Sequence, residues 1–527
     1  MHDHCYVFNE QCDVAGWLHH LVQGGNWQQE PWLDSQATYY DTFDWRLYRN
    51  KHTLELVNTG GCRQLVLRPR SGEPPVTLDR PEDPGFARDL PAGPLREQLA
   101  PMTKMRRLLP QARVDCRTQN LFLLNSVGTT VLRLNLFTDR AAIDADGNRL
   151  PLHQYLQILP VRGYRSAAKR LAGQWHSDPF VQPAELDPLA DALAAFGRLP
   201  ADYSSKLDLR LQPSQTAQQA LLSILQHLLG TLKANISGTC SDLDSEFLHD
   251  LRVAVRRTRS ALSQLKGLLP PQEVAPFRGE FAWLGNITGP TRDLDVYLLK
   301  FGAYLQSLPK NHHSDLAPFQ RFLLRRQLQE QKTLAEHLTS PRFTLLISDW
   351  QSLLEKERPA DSTLADSDRP VKQVADRRIW KLFRRYVDQG QAITSSGPAE
   401  ALHELRKTGK KLRYLLEFFQ SLYPPADISV LIKDLKDLQD SLGDFQDFEV
   451  QSEAMHSFGL AMAEAGQATP ATLLTMGMLA ENLRQQQQQV RQEFYRRFAP
   501  FSGDRNQQLF RRLFNTAGGK KSSKPLR

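Results

Sequence analysis

One basic phrase, found twice about 154 residues apart, constrains this chain more than any other feature. The first copy reads His249, Asp250, Leu251, Arg252, Val253, Ala254, Val255, Arg256, Arg257, Thr258, Arg259. The second reads His403, Glu404, Leu405, Arg406, Lys407, Thr408, Gly409, Lys410, Lys411, Leu412, Arg413. Duplication at a fixed interval implies a repeated structural unit rather than scattered surface charge. With about 3.6 residues per helical turn, positions i, i+3, i+7 and i+10 fall in one stripe. His249, Arg252, Arg256 and Arg259 make that stripe in the first copy; His403, Arg406, Lys410 and Arg413 make it in the second.

The apolar residues occupy another sector of each helix. Leu248, Leu251, Val255, Leu262 and Leu265 share a face, as do Leu402, Leu405, Leu412, Leu416 and Phe419. Each helix is therefore expected to bury one face and carry cations beside it. Gly409 stands where the first copy has Val255, which predicts a close helix–helix approach. Asp244 or Ser245 is expected to cap the first helix, and Pro270 with Pro271 to stop it. Ser396 and Pro398 are expected to open the second, and Pro424 with Pro425 to end it. A solvated face is the ordinary fate of an Arg-rich helix. Here the acids within the phrases are few, Asp250 and Glu404, and stacked like charges cost stability unless anions meet them.

A second segment trails each phrase. Leu284, Gly285, Arg292, Asp293 and Asp295 mark the first; Leu442, Gly443, Asp444, Asp447 and Glu449 mark the second. Carboxylates at this spacing suit a divalent cation, or a structural role at a helix start or beside an Arg.

With these four markers in place, residues 213–516 resemble the CHAD family, an α-helical domain named for its histidines. The resemblance implies a duplicated four-helix bundle, with repeats at about 213–345 and 370–516 and basic faces lining a central groove. It also implies binding of inorganic polyphosphate. On matching positions it implies anion contact by Arg252, Arg256, Arg257, Arg259, Arg406, Lys410, Lys411 and Arg413, with His249 and His403 at the groove. The clusters Arg321/Arg325/Arg326, Arg377/Arg378 and Arg384/Arg385 stay unassigned, with surface solvation as their default.

The N-terminal region has a different pattern. Short apolar runs at 53–57, 63–67, 121–124, 130–137 and 155–161 are separated by Gly, Pro, Asn and Asp, which predicts antiparallel strands. Residues 164–175 and 188–196 are expected to be helical. The phrase Tyr39, Tyr40, Asp41, Thr42, Phe43, Asp44, Trp45, Arg46, Leu47, with Ser205 and Lys206 further on, resembles the CYTH (triphosphate tunnel) fold over residues 1–210. That resemblance implies an antiparallel β tunnel or barrel with helices, giving an α+β chain of two domains. The family's Glu-x-Glu-x-Lys strand is reduced here to Tyr6, Val7, Phe8, Asn9 and Glu10. Its Leu-Arg-x-Arg strand reads Leu54, Glu55, Leu56, Val57, and a late acidic strand reads Tyr155, Leu156, Gln157, Ile158, Leu159. Arg68 alone stands where the family has a basic residue. Metal-assisted phosphoryl transfer needs oxygen ligands for the ion and cations for the phosphates. The expectation is a folded domain without triphosphatase activity. Arg117, Arg133, Asp139, Arg140 and Arg162 are candidate pocket residues, with a surface or strand-edge role as the alternative.

A formal net charge of +8 favours an acidic partner, and polyphosphate, nucleic acid and anionic lipid satisfy it equally. Few aromatics interleave with the basic phrases, which disfavours stacking on single-stranded bases. No run of about 18 apolar residues is present. Five cysteines without a close pair suit a reducing compartment, so a cytoplasmic protein is expected, associated with polyphosphate granules if the leading reading holds. No phosphate loop, HExxH or GxSxG phrase occurs. His19–His20 and His312–His313 lack a third ligand at metal spacing. Residues 311–315 and 360–370 read as loops, 485–489 as a helix continuing through glutamines, and 517–527 as a disordered basic tail. The leading expectation is a polyphosphate-binding protein. The alternatives are a metal-dependent inorganic triphosphatase assisted by the helical domain, and a nonspecific nucleic-acid binder. No cofactor is expected, with Mg²⁺ or Mn²⁺ entering only if the N-terminal domain is active.

Overall fold

The computed structural model describes residues 5–515 except 72, 80, 176–177, 358–363, 365 and 395–396. Ser396 and the basic tail lie outside the described residues. The chain divides into two compact units, Met1–Ser205 and Lys206–Arg527.

The first unit begins with β1 (Cys5–Phe8), α1 (Val14–Gln23), β2 (Trp27–Gln29), β3 (Leu33–Asp41) and α2 (Arg46–Arg49). It continues through β4 (His52–Thr59), β5 (Cys62–Pro69), β6 (Val76–Asp79), α3 (Pro94–Thr103), β7 (Leu109–Leu124) and β8 (Thr130–Ile143). β9 (Arg149–Pro151), β10 (Tyr155–Pro160), α4 (Arg165–Trp175), β11 (Val181–Pro183) and α5 (Pro188–Ala194) complete it. All the strands pair antiparallel in one sheet of order β11-β1-β10-β8-β7-β3-β4-β5-β6, with β2 added on β7 and β9 on β8.

The sheet is present as expected, but it does not close into a tunnel: its path ends at β11 and β6. Helices bury its apolar residues. Leu18 of α1 and Leu171 and Trp175 of α4 pack on Leu121, Leu132, Leu134, Leu136 and Leu156. Leu47 of α2 and Leu95 and Leu99 of α3 pack on Leu54, Leu56, Leu65 and Leu67. Leu189, Ala192 and Leu193 of α5 cover Tyr39, Ala112 and Val114. The phrase at Asp41 is a turn network. Its buried carboxylate accepts the N–H groups of Thr42, Leu47 and Tyr48 at 2.6, 2.9 and 2.8 Å.

The second unit is helical: α6 (Ala217–Cys240), α7 (Ser245–Gln264), α8 (Pro271–Ile287), α9 (Gly289–Gln306), α10 (Ala317–Leu338) and α11 (Pro341–Glu355). α12 (Val371–Gln391), α13 (Ala399–Phe419), α14 (Pro425–Glu464), α15 (Pro470–Ser502) and α16 (Asp504–Phe514) follow. The glutamine run lies inside α15, and residues 310–316 form two short 3-10 turns rather than an open loop. Asp244 caps α7 by accepting from Glu246 N and Phe247 N. α7 ends at Gln264, before the prolines, and the chain reverses through Gly267 at φ +79°. Pro271 opens α8 instead of stopping α7, because a first-turn N–H has no intrahelical acceptor to lose. Pro425 opens α14 likewise.

The segments that follow the two phrases differ in their elements. α8 and α9 are separate, broken before Gly289 and Pro290, whereas their counterpart is the single 40-residue α14. A proline in the helix interior removes one hydrogen bond and clashes with the preceding turn; Asp444 stands in its place in α14. The cores are shared between copies. One joins α6, α7 and α8 to α12, α13 and α14. The other joins Leu294, Tyr297 and Phe319 to Met455, Met476 and Leu479.

Candidate functional site

The two phrases lie on α7 and α13, and their apolar stripes are buried as the spacing predicts. Gly409 stands at a close approach of α13 to its neighbours. A Cβ there would sit 2.7 Å from Tyr386 Cε2 and 2.9 Å from Gln439 Nε2.

In the first copy Arg252 is half-buried against the α8–α9 break. Its Nη1 donates to Thr288 Oγ1 at 2.9 Å and to the Gly285 carbonyl at 3.2 Å. Burial, reinforced by the charge of Arg256, pulls its guanidinium down to about 10. His249 Nδ1 receives a hydrogen bond from Arg292 Nη2 at 3.0 Å, and Arg292 Nη1 also donates to the Ser245 carbonyl. A guanidinium only donates, so His249 accepts at Nδ1. Arg259 is exposed, its guanidinium lying over Gly285. Arg257 crosses to the other copy, where its Nη2 meets Glu417 Oε2 at 2.7 Å, both side chains largely buried.

In the second copy Arg406 Nη1 donates to Gln446 Oε1 at 2.8 Å. Gln446 is the repeat counterpart of Arg292. His403 Nε2 lies 2.9 Å from Glu449 Oε2 and its Nδ1 3.7 Å from Glu400 Oε2; the closer pair is not aligned as a hydrogen bond. Arg413 approaches Glu417 at 3.4 Å, and Lys411 is exposed. Among the described residues, the buried Nε of Arg252, Arg406 and Arg413 has no hydrogen-bond acceptor. Burial, followed by the charges of Arg406, Arg256 and Arg413, brings the Lys410 ammonium down to about 8.

Arg256 lies within electrostatic reach of both phrases. It acts on Arg252 and Arg292 of its own copy and on Arg406 and Lys410 of the other. Arg252, Arg256, Arg406 and Lys410 are thus one cation cluster. Arg257 and Arg413 share the single carboxylate of Glu417, which offsets part of their combined charge. The acids that oppose the cluster come from neighbouring helices rather than from the phrases. Asp447 acts on Arg406 and Lys410, Asp293 acts on Arg252, and the two carboxylates act on each other. Asp447 also lies 3.5 Å from Lys300. The sequence held one signal for these members. The interval from His249 to His403 also relates Asp293 to Asp447 and Gly289 to Gly443.

The other candidates are scattered. Arg377 and Arg378 pair with Asp366, while Arg321, Arg384 and Arg385 are exposed. In the sheet unit Arg140 is buried against Asp191 of α5 at 2.6 Å and lies over the Tyr155 ring. Arg117 lies 3.7 Å from both Asp34 and Asp139; Arg133 and Arg162 are exposed. Arg68 pairs with Glu55 at 3.2 Å. Among the described residues no group of three His, Cys, Asp or Glu side chains is placed to hold a metal, and no helix is long and apolar enough to cross a membrane.

Comparison with known proteins bears on the helical unit. Residues 223–456 match the family model of the CHAD domain. Uncharacterized proteins from two strains of Mycobacterium tuberculosis are each 24% identical over 485 residues, which is 86% of this chain and 86% of theirs. The CHAD domain from the plant Ricinus communis is 22% identical, with a TM-score of 0.47 over 56% of this chain and 95% of that one. PptA from Streptomyces chartreusis is 18% identical, with a TM-score of 0.41 over 54% of this chain and 99% of its own. The match to the family model and the paired basic helices agree on one conclusion: the helical unit of this chain carries a CHAD domain.

Proposed function

We propose that the helical unit binds linear inorganic polyphosphate through the cation cluster of α7 and α13, in a basic groove between the copies. The observation that carries this reading is the approach of α7 to α13, joined by Arg257 and Glu417 at 2.7 Å, which brings Arg256 within electrostatic reach of Arg406 and Lys410 of the other phrase. Partly buried like charges repel, and a polyanion that spans them relieves the repulsion. Guanidinium forks suit phosphate oxygens. Arg259 and Lys411, both exposed, extend the contact at its rim. His249 and His403 stand at the ends of the cluster as positioning residues. Binding of this kind would place the protein at polyphosphate deposits.

Catalysis by the sheet unit is not part of this reading. Its resemblance to a triphosphate tunnel rests on the turn at Asp41, and Glu55 and Arg68 neutralise each other. Phosphate release from tripolyphosphate that depends on Mg²⁺ or Mn²⁺ would restore the enzymatic alternative.

The test is joint replacement of Arg252, Arg256, Arg406 and Lys410 by Ala. Loss of about four phosphate contacts is expected to flatten the log–log salt dependence by roughly 3, at about 0.7 per contact on a flexible strand. Titration with long-chain polyphosphate at two salt concentrations reads this directly. Unchanged affinity in a folded variant places the site elsewhere. Displacement of polyphosphate by duplex DNA at equal phosphate concentration favours the nucleic-acid alternative.

A further inference from the structure

Two carboxylates in the cation cluster have no part in gripping an anion, and their placement asks for an explanation. Asp293 in α9 and Asp447 in α14 occupy the same position of the repeat. Both reach solvent: Asp293 is exposed, and the Asp447 side chain is 44% exposed. Each follows directly on a residue that touches a basic phrase, Arg292 bonded to His249 and Gln446 bonded to Arg406. Asp447 has Lys300 beside it at 3.5 Å, and no ion pair of Asp293 occurs among the described residues. Each acts on cations of the cluster and on the other. A solvated surface acid would sit away from this cluster, and a purely structural one would be locked to a single Arg.

We propose that Asp293 and Asp447 are specificity-determining residues: built-in counter-charges at the cluster that reject anions of low charge and admit long polyanions. This rests on the polyphosphate reading above. The physical reason is a difference in scaling. An anion confined to the cluster meets the repulsion of both carboxylates at short range. The attraction grows with the number of ligand charges that meet Arg252, Arg256, Arg406, Lys410 and the exposed rim. A short anion held at the cluster bears that repulsion in full; a long chain draws part of its affinity from placements in which its phosphates meet exposed rim cations such as Arg259 and Lys411, so the repulsion lowers its affinity less. Discrimination by a repulsive element against the wrong ligand is a common device. Lys300 moderates the penalty on the Asp447 side.

The experiment titrates the full chain with tripolyphosphate and with long-chain polyphosphate, comparing the wild type with Asp293→Asn/Asp447→Asn. Asn keeps the shape of each side chain. A control variant, Glu336→Gln/Asp349→Asn, removes the same charge from exposed positions of α10 and α11. The double Asp variant is expected to bind tripolyphosphate about tenfold tighter and the long chain only about threefold tighter, while the control changes either by less than about twofold. Lys300→Gln, which strips Asp447 of its neighbour, is expected to weaken tripolyphosphate binding in the opposite sense. Equal gains in the Asp variant and the control, equal gains for short and long chains, or weaker binding by the Asp variant each overturn the proposal. A wild type that binds no polyphosphate at all overturns instead the reading on which it rests. Should the double variant fail to fold, Asp447→Asn alone and Lys300→Gln give the same opposed pair of shifts.

Discussion

Lys410 shows what a single side chain contributes to the cluster. Burial and three neighbouring guanidinium groups bring its ammonium down to about 8. Near neutrality it is charged at a cost, and above that value it is largely neutral. A bound polyanion favours the charged form and raises the ammonium's pKa, so binding takes up protons in this range. Polyphosphate affinity is therefore expected to fall as pH rises from about 7 to about 9. Lys410→Arg, which keeps its charge throughout, is expected to remove most of that fall. Titrations at the two pH values check it, and equal pH dependence in both proteins would assign the titration to another group. That Lys410 belongs to the basic stripe was legible from its spacing. Its depressed pKa was not, because burial and the approach of Arg256 depend on how α7 and α13 pack.

Between elements, the substitution of Gly409 for Val255 was an informative reading. It predicted close approach, and the Tyr386 ring and Gln439 amide stand where a side chain would go. Gly409→Ala is expected to destabilise the protein by about 1–3 kcal/mol, through overpacking between α13 and its neighbours, despite the better helix propensity of Ala. Urea denaturation measures it; a stabilised variant would mean that the contact gives way at no cost. Helix ends were less legible. Pro270 and Pro271 looked like the stop of α7, but proline is excluded from helix interiors and welcome in first turns, so one residue type fits both readings. The break before Pro290, which supplies the Gly285 carbonyl and Thr288 hydroxyl that hold Arg252, was not legible in the spacing of the apolar residues.

At the level of the molecule, the duplication in sequence does not give two separable bundles. Both helical cores draw on both copies, so one copy alone would expose the apolar faces that the other covers. A fragment of residues 206–356 is expected to show no cooperative unfolding transition, whereas 206–527 shows one. Circular dichroism during thermal unfolding distinguishes the outcomes, and a cooperative transition in the shorter fragment would show that a single copy suffices. In the sheet unit the apolar runs predicted strands that are all present. The closed tunnel did not follow: the path of the sheet ends at β11 and β6, and α1 to α5 pack on its apolar residues.

The chain by itself determined the helices of the two phrases, their buried stripes and the cations beside them, since these depend on spacing within about three turns of one helix. It also determined the alternation of short apolar runs that makes a sheet. Only the tertiary structure decided which charges act together and which are cancelled. Glu417 meets Arg257 from 160 residues away, and Asp293 and Asp447 reach the cluster from other helices. Coulomb energy depends on distance through space, and folding sets that distance for residues far apart in the chain.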